Sequence, residues 1–134
     1  MASGDPKTQQ RLTDLLARDT DIDMAILFGS VAAGHPRADS DVDIALLTRR
    51  PLDADRKRAL TASIAAVTGR PVDLVDLRTA GVELIGVVVR TGRRLLCREP
   101  RLWADLVVRN LVDSADFLPY RERLLTDRRR AWIR

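Results

Sequence analysis

Residues 24–48 run Met24-Ala25-Ile26-Leu27-Phe28-Gly29-Ser30, then ten residues rich in small side chains and Pro36, then Asp41-Val42-Asp43-Ile44-Ala45-Leu46-Leu47-Thr48. The first apolar run, Met24–Phe28, has the length of a buried strand, and the Gly29-Ser30 pair predicts a tight turn at its end. Val42–Thr48 predicts a second strand, and Val31–Ser40 between them a loop or a single helical turn. Aspartate is disfavoured in strands; seen alone, Asp41-x-Asp43 on one reads as solvent-facing, but its spacing from Gly29-Ser30 and the later acidic strand point to a metal site.

Outward from this stretch the pattern alternates. Asp5-Pro6 is an N-cap followed by a first-turn proline, and Leu12, Leu15 and Leu16 continue as one helical face to about Arg18. Leu52, Leu60, Ile64 and Val67 keep helical spacing up to Gly69, a residue suited to ending a helix in the left-handed conformation. Val72–Leu77 predicts a third strand. Ile85, Val88 and Val89 predict a short helix ending near Gly92, and Arg94–Cys97 a fourth, shorter strand. Leu102/Leu106 and Trp103/Val107/Leu111 mark a further helix, and the segment from Pro119 to Ile133 a last, charged one. The expected fold class is α/β (α+β), a layered arrangement without internal repeats. At 134 residues the chain suits one domain, 1–134, with a core over about 20–98 and a helical region over about 100–134.

Composition narrows the setting. The chain is 46% hydrophobic and 31% charged, as a globular protein is, but only 4% aromatic, so Leu, Val, Ile and Ala must build the core. Cys97 is the single cysteine and cannot form an internal disulfide; no secretion signal or membrane-length apolar run is present, so a cytoplasmic location without membrane contact is expected. All basic residues but Lys7 and Lys57 are arginine, and residues 90–134 carry 12 basic against 6 acidic groups. That end is a candidate surface for an acidic protein or for RNA, although a solvated helix face is the more ordinary explanation.

The glycine at 29 allows a sharp turn and the approach of a phosphate without a Cβ in the way, while Ser30 offers a hydroxyl. Asp41 and Asp43 lie about 6.6 Å apart at Cα in extended chain, so one hard cation fits between their carboxylates. A neighbouring strand, about 4.8 Å away, can add a third acid. In Val72-Asp73-Leu74-Val75-Asp76 either Asp73 or Asp76 can supply it, but not both, because an odd offset puts them on opposite faces. Three converging carboxylates without a counter-charge repel one another, and the pattern makes sense around divalent cations: two ions about 3.5 to 4 Å apart would activate a hydroxyl and stabilise a leaving pyrophosphate.

The strings Leu27-Phe28-Gly29-Ser30, Ser40-Asp41-Val42-Asp43-Ile44 and Pro71-Val72-Asp73-Leu74-Val75-Asp76-Leu77 closely resemble the DNA polymerase β-type nucleotidyltransferase superfamily. Within it the chain is similar to the minimal nucleotidyltransferases, the short prokaryotic class encoded beside HEPN proteins. The resemblance implies a mixed sheet flanked by helices, Gly29 and Ser30 at the NTP phosphates, Asp41 and Asp43 as ligands of two Mg²⁺ ions, Asp73 as the third carboxylate, and Asp76 as structural. It also implies ATP as substrate and transfer of AMP to a hydroxyl of a HEPN toxin, the chain acting as its antitoxin. Two alternatives remain: a non-catalytic antitoxin that masks its partner, and a small-molecule enzyme of the aminoglycoside-modifying kind, which would need a homo-oligomer to build its acceptor pocket.

Other residues have simpler explanations. His35 and Arg37 lie in the loop between the motifs, where solvated side chains are the norm. Cys97 lacks a neighbouring ligand for zinc. Trp103 is expected in packing, and Trp132, among Arg128, Arg129, Arg130 and Arg134, is a candidate docking edge.

Overall fold

The computed structural model describes residues 5–32 and 41–113. His35, Arg37, the helix expected after Pro119 and the Trp132 edge lie outside the described residues. Helix α1 (Pro6–Ala17) leads into strand β1 (Ile22–Phe28), the short turn α2 (Gly29–Ala32) and strand β2 (Val42–Thr48). Helix α3 (Ala54–Thr68), strand β3 (Val72–Asp76), helix α4 (Val82–Thr91) and strand β4 (Arg93–Cys97) follow, and a further helix, α5, occupies 100–113. No helix among the described residues is long and apolar enough to cross a membrane.

Local chemistry explains where the helices begin and end. Asp53 caps α3 by accepting the Arg56 N–H at 2.8 Å, and Gly69 closes it at φ 67°, a conformation that glycine adopts without penalty. Leu52 therefore precedes α3 rather than belonging to it, yet it still packs on the core. Asp5 and Pro6 start α1 as the N-cap and first-turn positions.

The four strands form one mixed sheet in the order β3-β2-β1-β4. β1 is antiparallel to both β2 and β4, whereas β2 and β3, joined by the α3 crossover, are parallel. Helices cover both faces. On one, Leu12 and Leu16 of α1 and Ile64 of α3 pack on Leu27, Val42, Ile44, Leu46 and Leu74. On the other, Ile85 and Val88 of α4 and Leu106 of α5 pack on Met24, Ile26, Phe28 and Ala45. Being central, β1 and β2 are buried on both sides, which is why they read as continuous apolar runs.

β1 begins two residues earlier than its apolar run suggests. A register irregularity between Ile22 and Met24 lets Ile22 pair with Thr48 and join the α1/α3 core although its even-numbered neighbours face α4. The strand ends at this side of the sheet are secured by arginine. Arg98 donates to the carbonyls of Ile22 at 2.8 Å and Ala17 at 2.9 Å, and Arg78 to those of Thr48 at 3.0 Å and Arg49 at 2.6 Å. The carbonyls lie at or just beyond the ends of α1, β1 and β2, where regular secondary structure stops. Arg56 reaches from α3 to Asp19 at 2.6 Å and to Asp21, which Arg50 also approaches at 3.5 Å.

The Arg56 hydrogen bond, outweighing the effect of burial, holds the Asp21 carboxyl below its usual range. A lowered folded-state value means that the stabilisation is present above the ordinary aspartate pKa and is lost as the pH falls through the folded value. Asp21→Asn is therefore expected to unfold at lower urea concentration than the parent at pH 7. The gap should close as the pH drops below about 3.9, the ordinary aspartate value, and a gap independent of pH would assign Asp21 a packing role instead.

Candidate active site

At the opposite end of the sheet, β2 and β3 bring acidic residues together. The parallel pairing of β2 with β3 sets Asp43 directly beside Asp73, and in the antiparallel pairing Asp43 faces Phe28. Asp43 is half-buried, Asp73 exposed, and Asp41 exposed one residue before β2 begins. Asp41 is thus in extended chain at the strand's mouth, not in the strand itself.

Gly29 completes the corner. It follows Phe28 with φ 77°, and a Cβ built on it would collide with the Asp43 carboxylate oxygen and lie 3.2 Å from its Cγ. Two constraints therefore demand glycine: the left-handed backbone and the carboxylate pressed against the turn. The backbone of Ser30 lies in the α2 turn that starts here.

Burial, then the charge of Asp73, then that of Asp41 push the Asp43 carboxyl above its usual range. Among the described residues none of the three carboxylates pairs with an arginine or lysine, nor are three acidic, histidine or cysteine side chains already drawn into a cation cage. The contrast with Asp19, Asp21 and Asp23 is instructive. That alternating triplet resembles the Asp41-x-Asp43 pattern, yet Arg56, Arg50 and Arg49 neutralise it. Spacing alone does not separate the two sets; their counter-charges do.

The same register separates Asp73 from Asp76. Asp76 pairs with Leu46, three residues further along and on the other face. Its carboxylate accepts the Arg78 N–H at 2.9 Å and its carbonyl the Ala80 N–H at 3.1 Å, so it shapes the turn after β3. Sequence reading missed the arginines at 56, 78 and 98 as fold-holding residues, because nothing in their spacing names the carbonyls and carboxylates they reach.

A glycine turn against a half-buried aspartate, with a second aspartate in register and a third at the strand mouth, offers hard oxygen donors and concentrated negative charge. Residues 10–101 match the family model described as polymerase beta, nucleotidyltransferase. The chain belongs to that nucleotidyltransferase family. Its structure resembles a toxin–antitoxin chain crystallised with AMP-PNP at 28% identity and a TM-score of 0.76, covering 88% of this chain and 96% of that one. A chain of the MntA-HepT toxin–antitoxin structure is similar at 25% identity and a TM-score of 0.73, over 92% and 97%. A third similar chain comes from the structure of a tri-AMPylated HEPN toxin of Shewanella oneidensis in complex with its MNT antitoxin, at 25% identity and a TM-score of 0.69, over 89% and 97%. No curated protein matches this nucleotidyltransferase.

A carboxylate that is costly to ionise where it stands should make the fold more stable when neutralised. In chelator at pH 7, Asp43→Asn is expected to melt above the parent, whereas Asp76→Ala, which loses the turn hydrogen bond to the Arg78 N–H, should melt below it by the equivalent of about 1 kcal/mol. Equal melting of parent and Asp43→Asn would mean that Asp43 bears no repulsion.

Proposed function

We propose that this nucleotidyltransferase moves AMP from ATP to a hydroxyl of a partner protein, a HEPN toxin, and thereby acts as its antitoxin. The observation that carries the reading is Asp43, wedged against Gly29 and in register with Asp73, with no ion pair to a basic side chain among the described residues. The likeness to antitoxin chains, one crystallised with AMP-PNP and one in complex with a tri-AMPylated toxin, supports the choice of nucleotide and acceptor.

The donor set fits magnesium: all oxygen, with excess negative charge and one carboxylate destabilised by its neighbours. Asp41 and Asp43 would hold two ions and Asp73 would complete the set. When bound, such ions neutralise phosphate charge and lower the pKa of an attacking hydroxyl. Gly29 leaves the turn free of a Cβ, so that a triphosphate can approach the backbone, and Ser30 is assigned to its phosphates. Asp73, exposed on the outer strand β3, is assigned to the metal that would contact the acceptor hydroxyl. The α-phosphorus then gains the acceptor oxygen and loses pyrophosphate, with the hydroxyl proton passing to a base at this acidic corner.

The test pairs the purified chain with the protein encoded by the adjoining gene (the candidate HEPN partner), ATP labelled at the α-phosphate, and Mg²⁺. Label should appear on the partner, and Asp41→Asn, Asp43→Asn and Asp73→Asn should each lower the rate by roughly 10²–10³-fold. Asp76→Asn should transfer at close to the parent rate. If the Asp41→Asn, Asp43→Asn double variant still neutralises the partner without ATP, neutralisation proceeds by masking and the transfer reading fails.

A further inference from the structure

Among the described residues, the large apolar side chains that stand in solvent all belong to α5: Val108, Leu111 and Val112, exposed by 57%, 63% and 53%. Their spacing of three and four residues makes one stripe. Isolated exposed valines need no explanation, but a contiguous stripe on a single helix does.

The same helix walls a cavity of about 360 Å³ whose floor is Met24, Leu47, Leu77 and Leu106. Arg78 and Arg109 stand at its rim against one carboxylate, Asp105. Val108 and Val112 follow Asp105 by three and seven positions, so the exposed stripe borders the rim rather than lying on a separate face. Neither guanidinium is firmly neutralised. Arg78 donates to the uncharged carbonyls of Thr48 and Arg49, and Arg109 meets Asp113 only at 3.7 Å in an exposed pair of the kind that contributes little.

We propose that this cavity and the α5 stripe are the docking surface for the acceptor protein, taking an apolar hook of one or two side chains flanked by a carboxylate. The inference rests on the reading of a protein acceptor. Three features select that occupant. The volume lies at the low end for a small-molecule site, where about 300 to 1,000 Å³ is usual, and a small ligand would leave the neighbouring stripe unexplained. An apolar floor beside a further apolar stripe is the anatomy of an interface core. The excess of one positive charge at the rim calls for an acid next to the hook.

The location serves transfer. Leu47, in the floor, lies four residues beyond Asp43 on the same face of β2, roughly 13 Å away at about 3.3 Å per residue. A partner seated there leaves the Gly29 corner open and has a hydroxyl within a short loop's reach of it.

Calorimetric titration of the full chain with the candidate HEPN partner, in EDTA and without nucleotide, tests docking apart from chemistry. The double variant Val108→Asp, Val112→Asp is expected to weaken binding by at least about 30-fold, and Arg109→Glu by about tenfold. Both variants should keep the parent's melting temperature and its affinity for AMP-PNP in Mg²⁺. Parent-like binding of the partner by both variants, or no binding by the parent, overturns the proposal. So does loss of self-association in sedimentation by the double variant with partner affinity unchanged, which would assign the stripe to a second copy. A parent that binds in EDTA yet transfers no label sinks the transfer reading and leaves docking standing. Label transfer with variant affinity unchanged does the reverse.

Discussion

A carboxylate held where it is costly to ionise organises this molecule. Asp43 sits on a central strand, half-buried, with Gly29 against its oxygen, Asp73 in register beside it and Asp41 two residues before it. A fold selected only for stability would place an arginine there, as it does for Asp21, or an apolar residue, as it does at Ala45 on the same face. Neither occurs. The strain is tolerable because β2 is otherwise apolar and pinned between β1 and β3, so the backbone cannot retreat to let the charges part.

The two ends of the sheet divide the work. At one, Arg56, Arg78 and Arg98 reach across elements far apart in sequence to carbonyls and carboxylates at or near the ends of α1, β1 and β2. At the other, an acidic corner forms no ion pair among the described residues. The arginine richness of the sequence is thus partly a folding device. Of the arginines from 90 onward, Arg98 bonds to backbone carbonyls, Arg94 lies over the Trp103 ring at 5.0 Å and Arg101 pairs with Glu99 at 3.0 Å. These three arginines are engaged internally while Arg109 is held only loosely, which weakens charge alone as an argument for nucleic acid.

Most of this was legible before any coordinates. Val42–Thr48 forms a strand over the residues that its apolar pattern marks, and Gly69 ends α3 in the left-handed conformation that the spacing anticipates. These are local signals, and local chemistry decides them. What sequence could not supply was pairing. The earlier start of β1 depends on Thr48 as partner of Ile22, and the choice between Asp73 and Asp76 depends on the parallel register with β2. Both are contacts between residues more than twenty positions apart, set by which strands lie side by side. The Asp19, Asp21, Asp23 triplet makes the same point in reverse, since only the pairing with Arg49, Arg50 and Arg56 shows it to be structural.

Strand parity links the acidic corner to the rest of the surface. Because β2 pairs regularly from Asp43 to Leu47, its odd-numbered residues all face the α4 and α5 side. The carboxylate at one end and the cavity floor at the other are therefore consecutive features of one pleated face, not separate sites that happen to be near. β3 repeats the parity with Asp73 and Val75. Shifting the β2–β3 register by one residue would move Asp73 to the α1/α3 side and bring Leu74 beside Asp43, breaking the acidic pair and exposing a core leucine together. Burial of Leu74 under α3 thus enforces the alignment of the two aspartates. In this way the hydrophobic core fixes the chemistry, since the face that hides Val42, Ile44 and Leu74 dictates where Asp43 and Asp73 must point.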